Sequence, residues 1–192
     1  MAMTFNDWTP SRMAFFVAPI LMGVSTFYWE EGAYGITGGT LLIGSLLFYI
    51  LALQSLFQRL HSAWPRYANW GYLIALAGCI SGINFGFTDV MREAFDISHQ
   101  TFLDRSSGHA TAFNLLLFWT GPLFPLSLLI LGIQMIRSRD GHPVMAALLS
   151  ISGIAFPLSR ILRIEWIGHL ADAILLIPFF YYGWQYVKSV SE

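Results

Sequence analysis

The sequence predicts an all-α integral membrane protein with six transmembrane helices. The observations behind this prediction are a scarcity of charge and six long apolar stretches joined by short loops. Of the 192 residues, 56% are hydrophobic and 11% are charged, whereas a soluble domain carries about 25% charged residues. A hydrocarbon core about 30 Å thick requires about 20 apolar residues in a helix. Stretches near that length occupy 13–29, 35–57, 70–91, 111–136, 143–159 and 166–187. We expect one membrane domain over residues 1–192.

Each stretch has features that support a span. Only Arg12 and Asp7 precede the first stretch as charged residues, and no small-residue cleavage site follows it, so we interpret it as a retained span. The third stretch carries small residues at every fourth position, which let two helix backbones approach closely. We expect these glycines to pack helices within one subunit, with a homodimer seam as the alternative. They are Gly78, Gly82 and Gly86.

Prolines in the later stretches predict irregular helices. Pro122 and Pro125 should kink the fourth stretch and free backbone carbonyls that other groups must satisfy. Pro157 and Pro178 predict smaller disturbances in the fifth and sixth stretches.

The basic residues predict the orientation. With a cytoplasmic N-terminus, the inner segments carry Arg12, Arg59, Arg66, Arg137, Arg139 and Lys188. The outer segments then carry Arg92, Arg105, Arg160 and Arg163. The excess of basic residues inside favours cytoplasmic locations for both termini.

Internal similarity predicts three copies of a helical hairpin. Short identities recur in the same order at corresponding ends of the stretches, a pattern typical of membrane folds built from repeats. The matched segments are 80–85 with 151–156, 108–111 with 168–171, and 132–138 with 183–189. A fainter first copy makes Glu30, Asp89 and Arg160 equivalent positions. We therefore predict an Asp89–Arg160 ion pair, because an unpaired charge below the membrane surface is costly.

Composition excludes several classes of function. The net charge of -1 leaves no basic patch for nucleic acid. The single cysteine, Cys79, excludes disulfide frameworks and Cys-based zinc sites. The only lysine, Lys188, lies at the end of the last stretch, which disfavours a retinal protein. No ionisable group sits near the middle of a stretch, which disfavours a proton-coupled transporter.

Ionisable residues gather at the predicted outer ends of the helices. Glu165, His169 and Asp172 follow i, i+4, i+7 spacing and share one helix face. Asp89 and Glu93 share a face of the third helix. Because such residues in spans mark functional sites, we predict an outward-facing polar pocket for a small or amphiphilic ligand. Its ligand-binding residues are Asp89, Glu93, Arg160, Arg163, Glu165 and His169, with His109 and Asp172 also lining it.

Two other interpretations of these residues stay open. The side chains could satisfy one another and anchor helix ends at lipid headgroups. Alternatively, His109 and His169 from equivalent helices could hold a metal ion with Asp172, or flank a haem. The sequence does not identify a cofactor.

A third interpretation comes from a resemblance. Ser107-Gly108-His109-Ala110 begins one stretch, Ser159-Arg160 ends the next, and His169 and Asp172 follow on the last. This arrangement resembles the membrane lipid-phosphate phosphatase family. The resemblance implies that Arg160 binds phosphate, His169 is the phosphoryl-accepting nucleophile held by Asp172, and His109 is the general acid.

The whole chain also resembles uncharacterised six-span proteins of the bacterial inner membrane. That resemblance implies the location but no activity. A small, loop-poor bundle would equally suit an accessory subunit of a larger membrane complex. The expected partners are membrane lipids, an amphiphilic small molecule, and a membrane-protein partner or a second copy of the chain.

Overall fold

The structure is a computed structural model that describes residues 9–30, 32–162 and 164–188. These ranges are helical and contain no β-strand, which confirms the all-α prediction. The helices are α1 (Pro10–Thr26), α2 (Gly35–Arg59), α3 (Pro65–Ala94), α4 (His99–Ser107), α5 (Ala110–Phe113), α6 (Leu123–Ser138), α7 (Pro143–Leu162) and α8 (Glu165–Lys188). A π-helical segment, Asn114–Phe118, connects α5 to the turn that precedes α6.

Four helical units are long and apolar enough to cross a membrane, as expected of an integral membrane protein. They are α2, α3, the unit Ala110–Ser138 and α7. α1 has 17 residues and is shorter than these four. α8 has 24 residues but is not among these four units. The assignment of α1 and α8 as spans therefore stays a prediction.

Six long helices form a closed ring in the described part of the chain. In chain order, α1 packs on α2, α2 on α3, α3 on α6, α6 on α7 and α7 on α8, and α8 then packs back on α1. Aromatic side chains fill the centre. The Tyr49 ring of α2 lies 5.4 Å from the Phe124 ring of α6 and 4.9 Å from the Phe179 ring of α8. The ring of helices therefore encloses a packed core.

The glycine stripe of α3 packs inside the subunit, which confirms the internal-packing interpretation. A Cβ atom added at Gly78 would collide with the backbone of Phe124 on α6. One at Gly82 would lie 2.6 Å from Leu46 Cδ1 on α2, and one at Gly86 would lie 2.9 Å from the Gly39 carbonyl oxygen. Close approach of α3 to both neighbours therefore requires these glycines.

The predicted break at Pro122 is confirmed, and side chains of α3 donate hydrogen bonds to two carbonyls just before it. The helix unwinds between the π-helical segment and α6, because proline has no N–H to continue the backbone ladder. Ser81 Oγ donates to the Leu117 carbonyl at 2.9 Å, and Asn84 Nδ2 donates to the Leu116 carbonyl at 3.2 Å. Polar side chains within α3 thus satisfy backbone groups that lipid could not.

Candidate functional site

Arg160 lies in the last turn of α7, at the end of the ring where α1 ends and α2 begins. Its guanidinium carbon is 4.2 Å from the centroid of the Trp29 ring, 5.1 Å from that of Phe156 and 5.3 Å from that of Tyr34. All three distances are within the range of cation–π attraction. Trp29 and Tyr34 belong to the loop between α1 and α2, so this loop and α7 together hold the guanidinium in place.

A hydroxyl group links the arginine to a buried carboxylate. Arg160 Nη2 donates to Thr26 Oγ1 at 3.1 Å, and Thr26 Oγ1 donates to Asp172 Oδ2 at 2.5 Å. Asp172 is 3% exposed and Thr26 is 1% exposed. Thr26 has a single hydroxyl proton, so donation to Asp172 leaves its oxygen free to accept from Arg160. The three residues come from α7, α1 and α8 and form one chain of hydrogen bonds.

Two charged atoms beside this chain have no hydrogen-bond partner in the described part of the chain. They are Arg160 Nη1 and Asp172 Oδ1, and both are buried. A buried polar atom left unpaired costs about 1–3 kcal/mol, and more when it is charged. Native proteins normally satisfy such atoms with protein groups, water or ligands. These atoms therefore mark the place where a further polar group would be stabilised.

Gly168 packs closely against the unpaired guanidinium nitrogen. A Cβ atom at this position would lie 3.0 Å from Arg160 Nη1 and 3.3 Å from Thr26 Cγ2. Any larger residue would therefore occupy the space next to Nη1. We define the Arg160 site as Thr26, Trp29, Tyr34, Arg160, Gly168 and Asp172.

Tyr34 joins the Arg160 site to α3. Burial raises the pKa of Tyr34 to about 12, although the nearby Arg160 charge opposes that rise. The phenol is therefore neutral at physiological pH. Its backbone N–H donates to Asp89 Oδ2 at 2.9 Å. A surface depression lies next to the site and shares Tyr34 with it; its other lining residues are Tyr28, Glu30, Ala33, Gly35, Ile36, Thr37 and Glu93.

The predicted Asp89–Arg160 ion pair is wrong. Asp89 Oδ1 accepts instead from Arg92 Nη1 at 3.1 Å, while its other oxygen accepts from the Tyr34 N–H. Glu93 Oε2 accepts from the Ile36 N–H at 2.6 Å. The first N–H groups of a helix lack partners within the helix. Both carboxylates accept hydrogen bonds from N–H groups at the start of α2. Asp89 and Glu93 therefore cap α2.

The remaining predicted site residues do not share one pocket. His169 lies with its ring 4.5 Å from the Phe27 ring, and Glu165 is exposed in the first turn of α8. His109 is exposed and lines a separate depression formed by residues 107–112. Arg163 lies outside the described residues. The ligand-binding set is thus divided among a capping pair, the Arg160 site and separate surface positions.

The predicted catalytic and metal-binding arrangements lack the expected contacts. Among the described residues, no three His, Cys, Asp or Glu side chains group closely enough to hold a metal ion, so His109, His169 and Asp172 do not form such a set. Asp172 accepts its hydrogen bond from Thr26. No hydrogen bond between His169 and Asp172 occurs in the part of the chain that the structure describes.

Sequence reasoning missed four residues of the Arg160 site. Thr26 is one of many small polar residues in apolar stretches, and Trp29 reads as an interfacial aromatic. Tyr34 lies in a loop without a motif. Gly168 begins the segment 168–171 that matches 108–111, but nothing in that match indicates contact with an arginine. No local signal in the sequence distinguishes these positions.

The opposite end of the ring holds another partly buried arginine. Arg59 Nη2 and Nε donate to the two oxygens of Asp140 at 3.0 and 3.2 Å. Arg59 Nη1 donates to Gln185 Oε1 at 3.2 Å. The guanidinium also lies 5.5 Å from the centroid of the Tyr182 ring. We call this group of four residues the Arg59 cluster.

Comparison with known proteins adds no identity to these observations. No protein-family model, curated protein or solved structure matches the chain.

Proposed function

We propose that the protein is a six-span membrane protein whose Arg160 site holds the polar group of a small or amphiphilic ligand. One observation carries this proposal: Arg160 Nη1 and Asp172 Oδ1 are both buried and have no hydrogen-bond partner among the described residues. A group that accepts a hydrogen bond from the first and donates one to the second would remove both penalties.

The geometry supports binding better than a purely structural role. A buried ion pair is stabilising only when its geometry is good and its remaining hydrogen-bonding groups are satisfied. Here Thr26 stands between the two charges, and one atom on each side remains unpaired. The rings of Trp29, Tyr34 and Phe156 restrain the guanidinium before any ligand arrives. A ligand would therefore meet a preorganised group.

The six-span arrangement includes α1 and α8 as spans and three hairpins as repeats. The hairpins are α1–α2, α3–α6 and α7–α8, which follow one another around the ring. Two equivalent glycines support the repeat, since Gly82 faces Leu46 on α2 and Gly153 faces Leu129 on α6. In each case the first helix of a hairpin packs on the second helix of the preceding one. The basic residues favour cytoplasmic termini and an extracytoplasmic Arg160 site.

Ligand recovery tests this function. The wild-type protein and the variants Arg160→Gln and Arg59→Gln would be purified in the same mild detergent, and bound molecules identified by mass spectrometry. We expect one molecule to accompany the wild type and Arg59→Gln, and to be lost from folded Arg160→Gln. Equal recovery from all three proteins would contradict the proposal, as would recovery from none.

Lipid-phosphate hydrolysis and an accessory-subunit role stay predictions. For hydrolysis, the wild type should release phosphate from a lipid phosphate, and His169→Ala should not. No described contact favours this chemistry, because the His169 ring lies against Phe27 and Asp172 is engaged by Thr26. Absence of release by the wild type would eliminate the hydrolase alternative.

A further inference from the structure

The group that enters the Arg160 site can be specified more closely. Building on the proposed function, we infer that it is the uncharged hydroxyl of a lipid alcohol, such as a monoacylglycerol. Three features support this inference: the charge balance of the site, the pattern of unpaired donor and acceptor, and the apolar side chains around it.

The charge balance disfavours an ionic headgroup. Arg160 and Asp172 bring opposite charges to the same buried site, linked through Thr26. An anion attracted to Arg160 would also approach the Asp172 carboxylate, which is 3% exposed and cannot be screened by water. Glu30 and Glu93 add acidic groups to the neighbouring depression. A cation would in turn be repelled by Arg160, so an uncharged group fits best.

The unpaired atoms require one group with two capacities. Arg160 Nη1 needs an acceptor, and Asp172 Oδ1 needs a donor. A hydroxyl is the smallest chemical group that provides both. The Thr26 hydroxyl already performs this role between Arg160 Nη2 and Asp172 Oδ2. A ligand hydroxyl would repeat the same bridge on the other atom of each charged group.

The residues next to the site favour an alcohol with an alkyl chain. Phe27, which follows Thr26, is 72% exposed, and Ile161, which follows Arg160, is 77% exposed. Trp166, at the start of α8, is 66% exposed. These apolar side chains, which adjoin or lie near residues of the site in the sequence, offer exposed surface suited to hydrocarbon. A free sugar or glycerol would leave them uncovered.

A panel of lipids with the same 18-carbon chain tests the inference. Native mass spectrometry would measure how tightly three lipids bind to the detergent-solubilised protein. Monoolein carries hydroxyls, methyl oleate has none, and oleoyl lysophosphatidic acid is anionic. We expect monoolein to bind about tenfold more tightly than methyl oleate, since it adds hydrogen bonds to charged groups. We also expect it to bind more tightly than the anionic lipid.

The outcomes separate this inference from the proposed function. Preference for lysophosphatidic acid would overturn the uncharged-hydroxyl inference and leave a ligand site in place. Equal binding of monoolein and methyl oleate would overturn it too, because water would then serve the two unpaired atoms. Binding of none of the three, with no molecule recovered from the purified protein, would contradict the proposed function as well.

A matched pair of glycine variants ties the preference to the site. Gly168→Ala places a methyl group beside Arg160 Nη1. Because Nη1 is at the end of a flexible side chain that can shift, the protein should still fold. We expect it to lose the preference for monoolein over methyl oleate. Gly23→Ala on α1 has nothing within 4 Å of the added Cβ and should keep that preference. A folded Gly168→Ala protein that retained it would contradict the inference.

Discussion

The two ends of the helical ring each contain a partly buried arginine, but the two guanidinium groups are satisfied differently. Arg59 donates from Nε, Nη1 and Nη2 and meets both oxygens of Asp140. Within the described residues, Arg160 makes one side-chain hydrogen bond, lies among three aromatic rings and keeps Nη1 unpaired. A bidentate pair fixes orientation, whereas an unpaired buried donor leaves binding capacity available.

This difference separates a structural clamp from a candidate binding group. Asp140 follows α6 and Gln185 lies on α8, so Arg59 on α2 links three helices around the ring. Arg160 also links helices, through Thr26, but that link leaves the charges incompletely paired. Variants at the two ends should therefore differ in stability, in salt dependence and in access of water.

Removal of Arg160 should cost the most stability. We expect Arg160→Leu to lower the free energy of unfolding by about 3–5 kcal/mol, because it removes the positive charge that balances a buried carboxylate. Arg59→Leu should cost only about 1 kcal/mol, since the side chains of Arg59 and Asp140 are 28% and 26% exposed. Denaturant unfolding in detergent would measure both variants. The double variant Arg160→Leu/Asp172→Leu should recover most of the loss, and its failure to do so would contradict the linkage.

The Thr26 hydroxyl should matter more than its size. Thr26→Val keeps the side-chain shape but removes the hydroxyl that bridges a guanidinium and a carboxylate, and a hydrogen bond to a charged group is worth about 1.5–3 kcal/mol. We expect a loss of about 2–3 kcal/mol in unfolding free energy, measured in the same assay. Thr26→Ser keeps the hydroxyl and should lie much closer to the wild type. Similar losses in the two variants would show that packing, not the bridge, decides stability here.

The helices could be predicted from the sequence because hydropathy and length act locally. Six apolar stretches coincide with helical segments, and Pro122 correctly located the break before α6, whereas Pro157 and Pro178 lie inside continuous helices. The glycine stripe on α3 also predicted close packing, because small residues at every fourth position expose the backbone on one face. These features require no knowledge of distant parts of the chain.

The Arg160 site could not be predicted in the same way, because its contacts connect distant segments. Thr26 is 134 residues from Arg160 and 146 residues from Asp172 in the sequence. The spacing of Glu165 and Asp172 correctly identifies a shared helical face, but it does not reveal how deeply each side chain is buried in the ring of helices. Glu165 begins α8 and is exposed, whereas Asp172, two turns later, lies inside the ring.

The repeat predicted the wrong partner for Asp89. Equivalent positions in repeated hairpins occupy similar depths, but they need not touch. Asp89 and Arg160 instead meet different parts of Tyr34: the first accepts from its backbone N–H, and the second lies 5.3 Å from its ring centroid. The need of α2 for acceptors at its first N–H groups decided the position of Asp89.

The effect of salt on unfolding free energy should also differ between the two ends, by less than the effects of the substitutions above. The Arg59–Asp140 pair is about one-quarter exposed, so Asp140→Asn should cost about 0.5–1 kcal/mol at low salt and less at high salt. The cost of Thr26→Val should change little with salt, because the Arg160 site is screened less by ions. Unfolding free energies at two sodium chloride concentrations would measure both dependences. Equal salt sensitivity would remove the distinction between a water-accessible clamp and a buried site.

Tyr34 should show its burial only at alkaline pH. Its folded-state pKa is about 12 against an ordinary value of 10.0, and burial is the main cause. Because the folded state holds the phenolic proton more tightly, this contribution to stability is complete below pH 10 and is lost as pH rises through about 12.

The difference in phenolate absorbance between the folded wild type and Tyr34→Phe reports the ionisation of Tyr34. We therefore expect this difference to develop near pH 12. Tyr28→Phe offers a matched control from the same loop, because Tyr28 is 48% exposed. If the wild type and Tyr34→Phe already differed in phenolate absorbance near pH 10, water would have access to the phenol. The aromatic enclosure of Arg160 would then be open at this side, and the contrast with the Arg59 cluster would rest on the unpaired atoms alone.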